Sequence, residues 1–240
     1  MDKVIWQPVV PEVPLEDLLA RQGVDLSKRN PSQRILDLNK RLLEEGIELA
    51  AIKGIWQEVK VLGSNEEQVF LDKGLSLKGK ILPNVLGKAD GVVLFALTLG
   101  DKLDARVKEY TDQGNTMEAF ILDTAGSAIL SKALKEFTAE LIKTYEEKQL
   151  KTTFTLGPGP EYWEGLDDVR TIIEFLQGEQ IGITLTDMNY MLPKKSETMV
   201  MGVGANLPDF QGKTHCDFCR YKGDCKTRKL KYNNNYFYRH

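Results

Sequence analysis

The sequence predicts an α+β protein, on three observations. Val92 to Leu97 is a continuously apolar run, as a strand covered on both faces would be, and Gly100 and Asp101 then turn the chain into a helical pattern. Two longer segments, 32–52 and 117–146, carry apolar residues at helical spacing with charges between them. Short stretches rich in β-branched and aromatic residues, broken by Gly and Asn, read as further strands.

Taken in order, residues 1–30 hold Pro8, Pro11 and Pro14 and read as an extended N-terminal arm lying on a body of residues 31–210. The body opens with an amphipathic helix from Ser32 to Ile52, with Pro31 at its start and Ile35, Leu38, Leu42, Leu43, Ile47 and Leu49 along one side. "IWQEVKVLG" and "QVFLDKGLSL" follow as short strands, then the Val92–Leu97 strand and a helix to Tyr110. The long helix from about Met117 to Glu146 turns Leu122, Ala125, Ile129, Ala133, Leu134, Phe137 and Leu141 inward. Gly126 in its interior, costing about 1 kcal/mol against Ala, reads as a close helix contact rather than a ligand contact. A further helix covers 169–176. "IGITLTDMNYML" and "ETMVMGVGA" then read as two strands joined through "PKKS". Residues 211–240 form a basic tail with eight Lys or Arg against two Asp.

Composition bounds the function. At 240 residues, with 42% hydrophobic and 28% charged residues, the chain has the profile of a globular protein. A net charge of −3 gives no general attraction to nucleic acid, so no nucleic-acid partner is expected. No apolar run approaches the roughly 20 residues of a membrane helix, and the N-terminus lacks a basic segment followed by an apolar one, so the expected location is the cytoplasm, with no membrane partner. "GPGP" is not a phosphate loop, because proline lacks the backbone donor and no G-K-[ST] follows. Glu161, Asp167 and Asp168 read as a solvated loop rather than an acid–base set. Two histidines, both in the tail, argue against a histidine-based hydrolase.

All three cysteines fall in "THCDFCRYKGDC", as Cys216, Cys219 and Cys225. An odd count in a reducing compartment argues against structural disulfides. Thiolates bind iron or zinc well, but a structural zinc site takes four protein ligands, and only His215 and His240 could supply the fourth. The spacing therefore predicts an iron–sulfur cluster, of the four-iron four-sulfur type, ahead of zinc or of free thiols on a packed knuckle. The interleaved Arg220, Lys222, Lys226, Arg228, Lys229 and Lys231 would raise a cluster's potential or dock an acidic partner. With Tyr232, Tyr236, Phe237 and Tyr238 they could also stack on single-stranded nucleic acid, or be a solvated tail.

Four blocks, "ADGVVLFALTLGDKLD", "AFILDTAGSAILSKAL", "TLGPGPEYW" and "IGITLTDMNYMLPKKSETMVMGVG", resemble in order those of the activation domain of cobalamin-dependent methionine synthase, above all its stand-alone small-protein relatives. The likeness covers Gly87 to Gly204, and Leu185, Thr186, Asp187, Pro193 and Ser196 carry its most specific pattern. It implies a curved mixed or antiparallel sheet with flanking helices. It further implies a domain that binds S-adenosylmethionine and docks on a cobalamin-carrying protein. There, cobalt that has slipped to Co(II) is reduced by an external donor and remethylated.

Transferred residue by residue, the resemblance nominates Thr155, Gly157, Pro158, Gly159, Tyr162, Asp187 and Ser196 as cofactor-binding positions. Thr155 stands where the family has an arginine for the ligand carboxylate, Pro160 where it has a tyrosine, and Ser131 where it has a ligand-contacting glutamate. A threonine cannot reproduce a bidentate guanidinium–carboxylate pair, so the expectation is weak or absent S-adenosylmethionine binding. The predicted function is a reactivation factor for a corrinoid methyltransferase, with cobalamin carried by the partner. The electron for Co(II) would come from a cluster at Cys216, Cys219 and Cys225, with a separate electron donor as a further partner. The alternatives are a non-catalytic adaptor with a structural metal, or an S-adenosylmethionine binder with a rearranged "LGPGPEYW" loop.

Overall fold

The apolar run at Val92–Leu97 becomes the middle of a strand whose eight residues, Gly91–Thr98, are all buried. In the computed structural model, which describes residues 2–24, 26, 31–160, 162–210 and 212–218, this strand is flanked on both sides by antiparallel partners. The elements are β1 Val4–Trp6, α1 Leu15–Arg21, α2 Gln33–Leu49, β2 Lys53–Ser64, β3 Gln68–Leu71, β4 Ser76–Lys78, α3 Leu82–Leu86 and β5 Gly91–Thr98. There follow α4 Lys102–Asp112, α5 Thr116–Glu146, β6 Lys151–Thr152, α6 Asp167–Leu176, β7 Thr184–Leu185, β8 Met191–Leu192 and β9 Ser196–Gly204. The main sheet runs β4-β3-β2-β5-β9-β6, with β1 on the free edge of the first half of β2. Every pairing is antiparallel, and the sheet curls into a half-barrel with flanking helices, as the predicted α+β class requires.

Two cores sandwich the sheet because side chains alternate along β5. Val93, Phe95 and Leu97 enter the core beneath α2, α4 and α5, whereas Val92, Leu94 and Ala96 enter a second core with α3 and α6. The long helix α5 fits tightly at Gly126, where an added Cβ would lie 2.8 Å from Leu103 Cδ2 of α4 and 3.1 Å from Lys195 Cε. Gly126 is therefore a packing contact of two helices.

The structure departs from the sequence-based expectation in two places. The Pro-rich N-terminus is extended only in part: Val4–Trp6 pairs with β2, and Leu15–Arg21 is helical, burying Leu18 and Leu19 completely or nearly so. Trp6 stacks on Phe137 of α5 with centroids 4.4 Å apart. Hydrophobic burial, not solvent exposure, fixes this segment. The expected strand pair around "PKKS" is also different. Residues 184–192 fold back on themselves as the hairpin β7–β8, closed by Thr186 N–H donating to Tyr190 O at 2.9 Å and accepting a reverse donor through its own hydroxyl, 3.1 Å from Tyr190 N. β9 instead pairs with β5, which offers it a fully buried partner over eight residues.

Candidate functional site

The outer side of β9 is only partly covered. β6 pairs with Val203 and Gly204, Leu156 bridges Val200, and among the described residues no strand lies beside Ser196 to Met199. Val200 exchanges main-chain hydrogen bonds with Leu156, and Gly202 O accepts from Thr153 N, so even-numbered residues point their main-chain groups outward. By the same alternation Ser196 and Thr198 present theirs to the open edge. Thr198 also anchors inward, its hydroxyl donating to Phe95 O at 2.9 Å.

A groove of about 140 Å³ lies along this edge, lined by Gly157, Pro158 and Tyr162 from the loop after β6, by Tyr190 from the hairpin, and by Glu197, Thr198 and Met199 from β9. Gly157 has to be glycine for the loop to come so close: a Cβ there would sit 3.1 Å from Met199 Sδ and 3.2 Å from Thr198 O. The loop is held from behind. Trp163, 1% exposed, donates its indole N–H to Lys78 O at 2.8 Å and to Asp168 Oδ2 at 2.9 Å, and the same carboxylate accepts Lys78 N–H at 2.9 Å. Burial outweighs these donors and raises the Asp168 carboxyl above its ordinary range. Tyr162 accepts the Gly157 N–H at a long 3.4 Å. The hairpin wall is pinned to α6, where Arg170 Nε donates to Asn189 Oδ1 at 2.7 Å and Asn189 donates to Asp167 at 3.3 Å.

The seven positions nominated from the sequence fall in three places. Gly157, Pro158 and Tyr162 line the groove, and Gly159 adjoins them with a left-handed φ of 108° against Leu166. Thr155 is half-buried one residue before the Leu156 bridge, and Ser196 is buried with its hydroxyl donating to Thr98 at 2.8 Å. Asp187 is exposed in the hairpin turn. Sequence reasoning missed Glu197, Met199 and Tyr190. Only Glu197 left a signal, a lone carboxylate in the otherwise apolar "ETMVMGVG".

Beside the groove, Lys195 is nearly buried and engaged: its ammonium lies 2.8 Å from Asp123 and 3.0 Å from the Ser127 hydroxyl of α5. Behind the loop, a short turn at His215–Asp217 is closed by Thr214, which accepts Cys216 N–H at 3.3 Å. His215 stacks on Tyr162 with centroids 4.8 Å apart, and Phe218 lies 5.3 Å from Phe154. This packing leaves Cys216 half-buried next to the loop, while Cys219, Cys225 and the basic tail from residue 219 lie outside the described residues.

No family model and no curated protein matches the sequence. Among solved structures, the chain matches the MetH reactivation domain bound to AdoHcy with a TM-score of 0.62 over 100% of this chain and 91% of that one, at 14% identity. This chain has the fold of the MetH reactivation domain. The match corrects the cofactor expectation, which set an iron–sulfur cluster first, zinc second and S-adenosylmethionine as doubtful. The reactivation domain holds AdoHcy, an S-adenosyl ligand, and among the described residues no group of three His, Cys, Asp or Glu could hold a metal ion. The expectation failed for a physical reason. It weighed lost side chains at positions 131, 155 and 160, whereas a groove on a strand edge also offers main-chain donors and acceptors that no substitution removes. Among the described residues no helix is long and apolar enough to cross a membrane.

Proposed function

We propose that the protein is a reactivation domain that binds an S-adenosyl ligand along the open edge of β9 and serves a cobalamin-carrying methyltransferase. The observation that carries this reading is the full-length fold match to a domain bound to AdoHcy, joined to a groove on β9 roofed by the Gly157–Tyr162 loop. Ser196 and Thr198 offer main-chain groups to a ligand's polar edges, while Tyr162, Tyr190 and Met199 supply apolar contact. The partner brings the cobalamin and a separate reductant brings the electron. The partner's cobalamin, once reduced, would supply the acceptor for the methyl group of S-adenosylmethionine, with AdoHcy as the product this domain would release. This domain contributes orientation, holding ligand and partner together.

The test is anaerobic remethylation. A corrinoid methyltransferase from the same cells, held as Co(II), is mixed with a low-potential chemical reductant, S-adenosylmethionine and this protein, and the methylcobalamin spectrum is followed. Methylation that depends on both the protein and the ligand is expected. The same slow rate with and without the protein would overturn the proposal, and ligand binding without transfer would leave an adaptor role.

A further inference from the structure

Resting on that functional reading, we infer that His215 is a positioning residue of the ligand site, holding the Tyr162 ring at the groove. The C-terminal turn around it is then a working part of the site rather than a neighbour of it. Tyr162 borders two spaces. It lines the groove on β9, and it also lines a cavity of about 420 Å³ bounded by Gly79 to Ile81 after β4 and by Phe218. That cavity gives the ring a second place to go. The firm anchor of the groove loop is the next residue, Trp163, with indole bonds of 2.8 and 2.9 Å. The bond that the Tyr162 hydroxyl takes from Gly157 N–H within the loop is long, at 3.4 Å.

His215 closes the alternative. Its imidazole stacks on the Tyr162 ring with centroids 4.8 Å apart and planes 28° from parallel, within the range over which aromatic rings attract. The imidazole is itself held by its turn, where the Thr214 hydroxyl accepts Cys216 N–H at 3.3 Å and Thr214 N–H donates to Asp217 at 2.9 Å. Chain on either side of the turn is seated on one residue just ahead of the groove loop: Phe210 and Phe218 lie 5.6 and 5.3 Å from Phe154.

His215 does not itself line the groove, so it acts through Tyr162. A ring already fixed before the ligand arrives loses no rotamer freedom on binding, and that saving appears as affinity. By linkage the effect runs both ways, and a ligand seated against Tyr162 steadies the turn to the same extent.

Titration calorimetry of the full chain with AdoHcy, on a double-mutant cycle, tests this directly. His215→Ala should weaken binding about fivefold, which corresponds to about 1 kcal/mol. His215→Phe, which keeps a ring to stack, should bind within twofold of the wild type. In a Tyr162→Leu background, which has no ring to position, His215→Ala should cost less than twofold. Should His215→Ala melt below the assay temperature, Thr214→Val, which removes the acceptor for Cys216 N–H and leaves both rings, carries the same comparison. An equal loss in both backgrounds, no loss in the wild-type background, or a His215→Phe variant as weak as His215→Ala overturns the inference while leaving the groove as an S-adenosyl site. A wild type that does not bind AdoHcy overturns the functional reading itself, and the inference with it.

Discussion

Asp168 shows how one residue fixes the site from behind. Its Oδ2 accepts two donors, the Trp163 indole and the Lys78 amide, so it ties α6, β4 and the groove loop at a single buried point. Asp168→Ala leaves both donors without it and should cost about 2–3 kcal/mol in urea unfolding, whereas Asp168→Asn keeps an acceptor and should cost less than about 1 kcal/mol. The pH dependence has a definite sign. A carboxyl whose folded pKa is raised contributes its full stability below the unfolded pKa and loses it as pH rises through the folded value. Asp168→Asn should therefore gain on the wild type as pH rises from about 4, and equal pH profiles for the two would refute the assignment. Gly157→Ala works on the opposite side of the loop. With Thr198 O and Met199 Sδ within 3.2 Å of the new methyl, the loop must lift, and AdoHcy affinity should fall at least about tenfold while the melting temperature drops by only a few degrees.

At the scale of elements, what was legible in the sequence is what local pattern encodes. β5 announced itself through an unbroken apolar run, and α2, α5 and α6 through helical periodicity, each close to its observed span. The partner of β9 was not legible, because its pairing with β5 joins residues about a hundred positions apart and nothing local chooses between that strand and the nearer hairpin. The open edge follows from the same non-local fact, and with it the groove, so Gly157, Pro158 and Tyr162 could be nominated by resemblance while Glu197 and Met199 could not. Helix packing offers a further check at this scale. Gly126→Ala must push Leu103, 2.8 Å from the new methyl, and so separate α4 from α5. A loss of about 1–3 kcal/mol is expected, against the gain of about 1 kcal/mol that helix propensity alone would give; a net gain would show that the two helices yield freely.

The whole molecule depends on its first two elements more than a Pro-rich terminus suggests. β1 completes the edge of β2, Trp6 stacks on Phe137, and Leu18 and Leu19 are buried. Removing residues 2–24 should therefore cost at least about 4 kcal/mol, measured as a broad, early calorimetric transition, and an unchanged transition would mean that the two buried leucines and the stacked tryptophan contribute little. With that scaffold intact, the proposed ligand site lies at one edge of one sheet. The most direct measurement is amide chemical-shift mapping of the ¹⁵N-labelled protein titrated with AdoHcy. Shifts concentrated at residues 156–163 and 196–200, with those of the His215–Phe218 turn moving in step through Tyr162, are the expected result. Shifts confined to a different face, or none at millimolar AdoHcy, would contradict it.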